Sequence, residues 1–252
     1  MRACVCGVLL FVAGMVASAG AQTTDEYSRK NTFTLFAEGS APSTPVIVGE
    51  ARRRLIFDAG GAYTRRVVRF WGSDLGYHIE LRPVLFESDP FGTSTTVSVV
   101  TSGPTTGTVY TFTTSGTDNG CTASTFSGTL SAEPPYIPSE TYTVTNICGR
   151  RWTFGQSFAP IGFKYSMRTR HRLQPFLVGT LGYMYTSRPV PVEDAESFNF
   201  VINVGVGVEV YSAGKRSISF ETRIQHFSNR YTAPANPGTD NLMFKASYSF
   251  GR

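Results

Sequence analysis

Residues Ser197–Tyr211 read SFNFVINVGVGVEVY, and sorting them by parity separates two kinds of chemistry. Phe198, Phe200, Ile202, Val204, Val206, Val208 and Val210 form one row, while Asn199, Asn203, Gly205, Gly207 and Glu209 fall in the other. Only Val201 and Tyr211 interrupt the polar row. Successive side chains of a strand point to opposite faces, so a period of two over this length predicts a β-strand with one apolar and one polar side.

The same period extends outward from this stretch. Ile218, Phe220, Thr222 and Ile224 alternate with Ser217, Ser219, Glu221, Arg223 and Gln225, and Leu242, Phe244, Ala246, Tyr248 and Phe250 alternate with Met243, Lys245, Ser247 and Ser249. Towards the N-terminus, comparable rows run through Leu173–Tyr185, Ile161–Met167, Leu75–Leu85, Leu55–Tyr63 and Phe33–Glu38. This gives eight strands. The segment 64–74 fits least well and is read as an extension of the second strand with a bulge.

Composition agrees with an all-β chain and leaves its environment open. The 252 residues are 41% hydrophobic, 13% aromatic and 16% charged, too apolar for a disordered chain. Beyond the N-terminus there is no apolar run long enough for a membrane helix. A soluble β-sandwich and a transmembrane barrel both average to a mean hydropathy near zero. The polar rows decide between them: Arg54, Asp58, Glu80, Arg82, Lys164, Glu209, Glu221, Arg223 and Lys245 place charges of both signs on one face of nearly every strand. A small closed barrel packs such charges in its lumen and turns the apolar rows to lipid.

Connection lengths point the same way. Met167–Arg172 and Ser212–Arg216 read as short turns, whereas 39–50, 87–155, 187–196 and 229–239 are longer. Short periplasmic turns and long outer loops are the outer-membrane pattern. Residues 1–21 carry Arg2, an apolar run and Ala19-Gly20-Ala21, the form of a cleaved secretory signal, so the expected mature chain is 22–252. The expected fold is an eight-stranded antiparallel transmembrane up-and-down barrel in the bacterial outer membrane, with a Ser/Thr-rich outer loop at about 87–155.

That loop holds the two mature cysteines, Cys121 and Cys148, an even pair for which export permits a disulfide; two free thiols are the alternative. The net charge of +5 comes without nucleic-acid motifs, so a lipid-phosphate surface is the expected partner and nucleic acid is not. Gly205-x-Gly207 lies inside a strand and is no dinucleotide fingerprint. His78 shares lumen parity with Glu80 and Arg82, and His171 sits in a basic turn. No metal-ligand spacing is found.

One apolar row breaks its own rule. His226 and Ser228 continue the parity of Ile218–Ile224, and Asp240 shares the outward parity of Leu242 on the neighbouring strand. Adjacent strands lie about 4.8 Å apart, so Asp240 can reach His226. Ser228 is then the candidate nucleophile, His226 the general base and Asp240 the orienting carboxylate, with backbone N–H groups near Asn229 as oxyanion donors. Interfacial polar residues where a strand leaves the membrane are the plainer alternative.

His226-Phe227-Ser228-Asn229, followed by Asn236-Pro237-Gly238 and a terminal aromatic strand, resembles the lipid A 3-O-deacylase (PagL) family of outer-membrane acyl hydrolases. The resemblance implies an eight-stranded barrel that hydrolyses the ester-linked acyl chain at position 3 of lipid A. It assigns His226, Ser228 and the acidic residue to a triad, with Asn229 and Asn236 supporting the site. Two departures stand out: the usual Glu is here Asp240, and Arg230 and Tyr231 replace small residues after the His-x-Ser-Asn core. The cysteine-bearing loop is an elaboration.

The reading is a serine ester hydrolase acting on lipid A or lipopolysaccharide, needing no cofactor, with a homodimer among its candidate assemblies. Arg230, Arg151 and Arg52, near outer strand ends, are weaker candidates for lipid A phosphate. The rival readings are a non-enzymatic barrel (adhesin or structural protein) and a barrel phospholipase with the same triad.

Overall fold

A computed structural model describes residues 27–133, 137–212 and 215–252. The expected signal, residues 1–21, lies outside the described residues. Among the described residues ten strands are formed: β1 Asn31–Ser40, β2 Leu55–Phe70, β3 Ser73–Val100, β4 Val109–Thr117, β5 Ser124–Leu130, β6 Glu140–Ser166, β7 Leu173–Val190, β8 Glu196–Tyr211, β9 Ser217–Ser228 and β10 Thr239–Gly251. Eight of them close a ring in the order β1-β2-β3-β6-β7-β8-β9-β10, with β10 returning to β1 and every pairing antiparallel. Closure leaves no free strand edge in the barrel wall.

The parity rows sort as the sequence predicts. Phe220, Phe244 and Val204 face outward, 65%, 54% and 62% exposed, while Glu209, Arg223 and Lys245 on the alternate rows are buried. At the short-turn end Phe33, Tyr63 and Phe250 form an outward aromatic cluster, with ring centroids 5.2 and 6.0 Å from Phe33. Strand β2 runs through the poorly fitting segment with register shifts at 59/61 and 66/68, then turns at Trp71-Gly72. Pro83 and Pro160, which cannot donate to a ladder, sit within further register shifts.

The lumen is a filled core. Glu80 is its charged centre: Arg223 reaches it at 2.8 Å, Arg82 and Lys245 at 2.5 Å and His78 at 3.0 Å. Arg82 also pairs with Glu38 at 2.7 Å, and Arg223 with Glu221 at 2.6 Å. Burying one of these charges unpaired would cost several kcal/mol, so the network forms as a unit. Towards the outer end the lumen turns apolar, packed by Ile56, Leu85, Met184, Val190, Val201, Phe227 and Met243. This explains Val201, the apolar interruption in the polar row of β8. The other interruption, Tyr211, closes the opposite end, where the Arg29 guanidinium lies 4.6 Å from its ring.

The segment expected as a long loop at 87–155 is mostly sheet. Strands β3 and β6 continue past the barrel as one ladder from Ser88↔Trp152 to Val100↔Glu140, and β4 and β5 add to its two sides. Alternating Thr and Val satisfy the period of two without a core face, which gives a four-stranded outgrowth. Cys121 and Cys148 form a disulfide at its base.

Candidate active site

Strands β9 and β10 bring three polar residues to the outer rim of the apolar belt. His226 and Asp240 are direct cross-strand partners, and Ser228 lies two residues beyond His226 on the same face. Across β8, His226 adjoins Ile202 and Ser228 adjoins Phe200, both lipid-facing. Polar groups at the end of this row gain no apolar packing.

The His226 Nδ1 to Asp240 Oδ1 distance is 2.7 Å. Direct register offsets the shorter reach of Asp. An imidazole held at Nδ1 by a carboxylate presents Nε2 to the outside, the side from which Ser228 projects. No hydrogen bond of Ser228 Oγ is formed among the described residues, so the serine and the His–Asp pair are side by side and not yet joined.

Asp240 is fully buried although its row faces outward. The cover is the β1–β2 connection, which sequence periodicity leaves blank. The N–H groups of Val46, Ile47, Val48 and Gly49 donate to Asp240 Oδ2 at 2.9, 2.5, 3.1 and 3.0 Å. Four donors on one oxygen accommodate a full negative charge away from water. The connection is anchored beside the strand: the N–H groups of Glu50 and Ala51 donate to the carbonyls of Pro237 and Gly238 at 2.6 and 3.0 Å.

Two glycines make this approach sterically possible. A Cβ on Gly49 would lie 2.6 Å from the Asp240 nitrogen and 2.9 Å from its Cγ. Gly238 has φ +57°, and a Cβ there would lie 3.2 Å from His226 Cε1. The Asn-Pro-Gly turn therefore gives the imidazole its space as well as reversing the chain. Gly49 has no periodic signal in the sequence, and only its contact with Asp240 gives it a role.

The β9–β10 connection is organised by Asn229. Its N–H donates to Asn236 Oδ1 at 3.0 Å, its Nδ2 to the Ala235 carbonyl at 2.8 Å, and its Oδ1 accepts from the Tyr231 N–H at 2.9 Å. Asn229 and Asn236 are thus brought together as a scaffold, but the Asn229 amide is already engaged and is not a free oxyanion donor. Arg230 and Tyr231 follow with φ of 54° and 60°. Left-handed geometry favours small residues at these positions, and this chain holds two large ones there. Tyr231 is exposed, and the Arg230 guanidinium lies 5.8 Å from the Phe200 ring centroid.

The three arginines expected at phosphate separate. Arg230 stands beside the site, and Arg52 is exposed on the connection that covers Asp240. Arg151 is placed elsewhere: it pairs with Glu193 at 2.9 Å, lies 3.8 Å from Asp89 and stacks 5.1 Å from the Phe91 ring. Strand β6 is on the wall opposite β9–β10 in the ring, a relation that strand ends do not reveal in the sequence. His78 belongs to the lumen network, and among the described residues no cluster of His, Cys, Asp and Glu suits a metal ion.

The family model described as lipid A 3-O-deacylase (PagL) matches residues 106–249. Among solved structures, the chain is similar to the crystal structure of the outer membrane enzyme PagL, with 12% identity, 87% of this chain and 99% of that chain covered, and a TM-score of 0.46. None of the curated proteins compared with the chain matches it.

Proposed function

Because the chain belongs to the lipid A 3-O-deacylase (PagL) family of the outer membrane, we propose that its β9–β10 rim hydrolyses the 3-O ester of lipid A, with Ser228 as nucleophile. The observation that carries this reading is the His226–Asp240 hydrogen bond of 2.7 Å on the lipid-facing side of the barrel, under the amides of the β1–β2 connection. A buried carboxylate holding an imidazole at a membrane rim has a plain use in acyl transfer.

Ser228 Oγ attacks the ester carbonyl carbon while its proton passes to His226 Nε2, and Asp240 stabilises the imidazolium that forms. The Arg230 amide, next to the engaged Asn229 amide, is the donor assigned to the oxyanion. The bond from the carbonyl carbon to the sugar oxygen then breaks, and His226 returns its proton to that oxygen. Water then attacks the acyl carbon as His226 Nε2 takes one of its protons, the bond from that carbon to Ser228 Oγ breaks, and His226 returns the proton to Oγ as the fatty acid leaves.

Mass spectrometry of lipid A from cells with and without the protein tests the reaction: the expected product lacks one acyl chain. An unchanged lipid A profile would exclude the substrate. Ser228→Ala should lose the activity while keeping the folded barrel's electrophoretic mobility, and full activity in that variant would exclude the nucleophile.

A further inference from the structure

Val46, Ile47 and Val48 are 53%, 60% and 68% exposed at the tip of the β1–β2 connection. Their amides all point at Asp240 Oδ2, and their side chains stay exposed while the amides are engaged. Holding the carboxylate requires only N–H groups, which any residue except proline supplies. Three adjacent aliphatic side chains therefore need another reason. The tip sits on Asp240, whose row continues through Leu242 and Phe244, and Asp240 faces His226, whose row continues through Ile224 and Phe220. The aliphatic tip thus extends the lipid-facing apolar surface up to the edge of the site.

We propose that Val46, Ile47 and Val48 form the lip of an acyl-chain site and select for long chains in the lipid held at His226 and Ser228. The occupant is a long acyl chain of the substrate. Continuity of the tip with the apolar rows of β9 and β10 favours that occupant, and the amide bonds to Asp240 fix the lip relative to the reacting groups. The inference rests on the ester-hydrolase reading for the class of substrate.

The test is the combined variant Val46→Thr, Ile47→Thr, Val48→Thr, which keeps β-branching and all the amides. Hydrolysis of nitrophenyl esters from butyrate to palmitate is measured in micelles. The ratio of kcat/KM for palmitate to that for butyrate should fall at least about tenfold, mainly through KM, because each methylene buried contributes a few-fold in binding. An unaltered ratio, or an equal loss on both esters, overturns the proposal.

A second measurement does not depend on turnover. Ile47→Trp, in a chain that also carries Trp71→Phe, Trp152→Phe and Ser228→Ala, should be quenched by bromine-labelled palmitate, whereas Val97→Trp on the outgrowth in the same background should not. Absence of quenching at position 47 overturns the lip even if the enzyme is active. Quenching there, with no ester hydrolysis by the unmodified chain, leaves the acyl-chain site standing and removes the catalytic reading instead.

Discussion

Asp240 faces His226 directly across the β9–β10 ladder, its Oδ1 2.7 Å from Nδ1 and its Oδ2 filled by four backbone amides. One oxygen holds the imidazole and the other holds a loop. The carboxylate therefore links the His226 imidazole to the β1–β2 connection, and changing it acts on both.

Asp240→Asn preserves size but removes the charge that stabilises the imidazolium. The expected loss is roughly 10³–10⁴ in kcat with little change in KM, by the logic of an orienting carboxylate. Steady-state kinetics on purified protein in detergent check it. A variant retaining more than a tenth of the activity would show that Asp240 serves only to hold the loop.

Gly49→Ala places a methyl against the Asp240 backbone, at 2.6 Å from its nitrogen. Backbone cannot yield as a flexible side chain does, so the connection must lift. A destabilisation of about 1–3 kcal/mol is expected, as for overpacking elsewhere, with a fall in activity. Urea unfolding in lipid vesicles measures the first and ester hydrolysis the second. Ala at the exposed Gly149, which meets nothing within 4 Å and has ordinary strand geometry, is a control for steric cost.

Arg223→Ala removes a fully buried guanidinium that pairs with Glu80 at 2.8 Å and Glu221 at 2.6 Å. Glu221 would then lose the guanidinium at 2.6 Å, and Glu80 one of its three cationic partners, in a closed lumen. The expected cost is about 3–5 kcal/mol, because a broken buried pair leaves uncompensated charge. The shift in the urea midpoint, followed by heat-modifiable gel mobility, gives the value. A near-zero shift would mean that water enters the lumen freely.

Glu193, in the β7–β8 connection outside the barrel wall, gives a pH dependence. Burial pushes its carboxyl up, but hydrogen bonds from its own amide and from Thr117, together with the Arg151 guanidinium, outweigh that and hold it below the ordinary value of 4.5. A depressed folded-state pKa contributes stability above the unfolded value, and that contribution is lost as pH falls through the folded one. The tie between the connection and the outgrowth should therefore persist at neutral pH and loosen only in acid below the usual carboxylate range. NMR titration of the Glu193 carboxyl should give a lowered midpoint that rises in Arg151→Ala. An unshifted midpoint in the unmodified chain would contradict the pairing.

Much of the wall was legible because its signal is local. Ile218–Ile224 and Leu242–Phe250 alternate within single strands, and parity alone puts His226, Ser228 and Asp240 outside. The outgrowth was less legible, since the Thr/Val alternation of 93–99 and 141–147 has no apolar row and reads as an exposed hairpin within a loop. Arg151 looked like Arg230 in sequence because both read as lying near outer strand ends, but Arg151 is inside β6 and ring position separates the two.

By itself the sequence determined the eight alternating rows, their closed antiparallel character and the parity of the three site residues, because side-chain direction along a strand depends only on residue number. Tertiary structure alone decided what surrounds them. The amides of Val46–Gly49 leave no mark in residue type, yet they bury Asp240. The Asn229 amide looks available until its N–H is seen to donate a hydrogen bond to Asn236 Oδ1. Arg54 is one charge among many along the chain, but fully buried it binds Asp89 at 2.9 Å and the Pro191 carbonyl at 2.7 Å, and it also bonds Asn119, so it ties together the outer connections. Backbone hydrogen bonds and buried ion pairs join residues far apart in the chain, and periodicity carries no information about such distances.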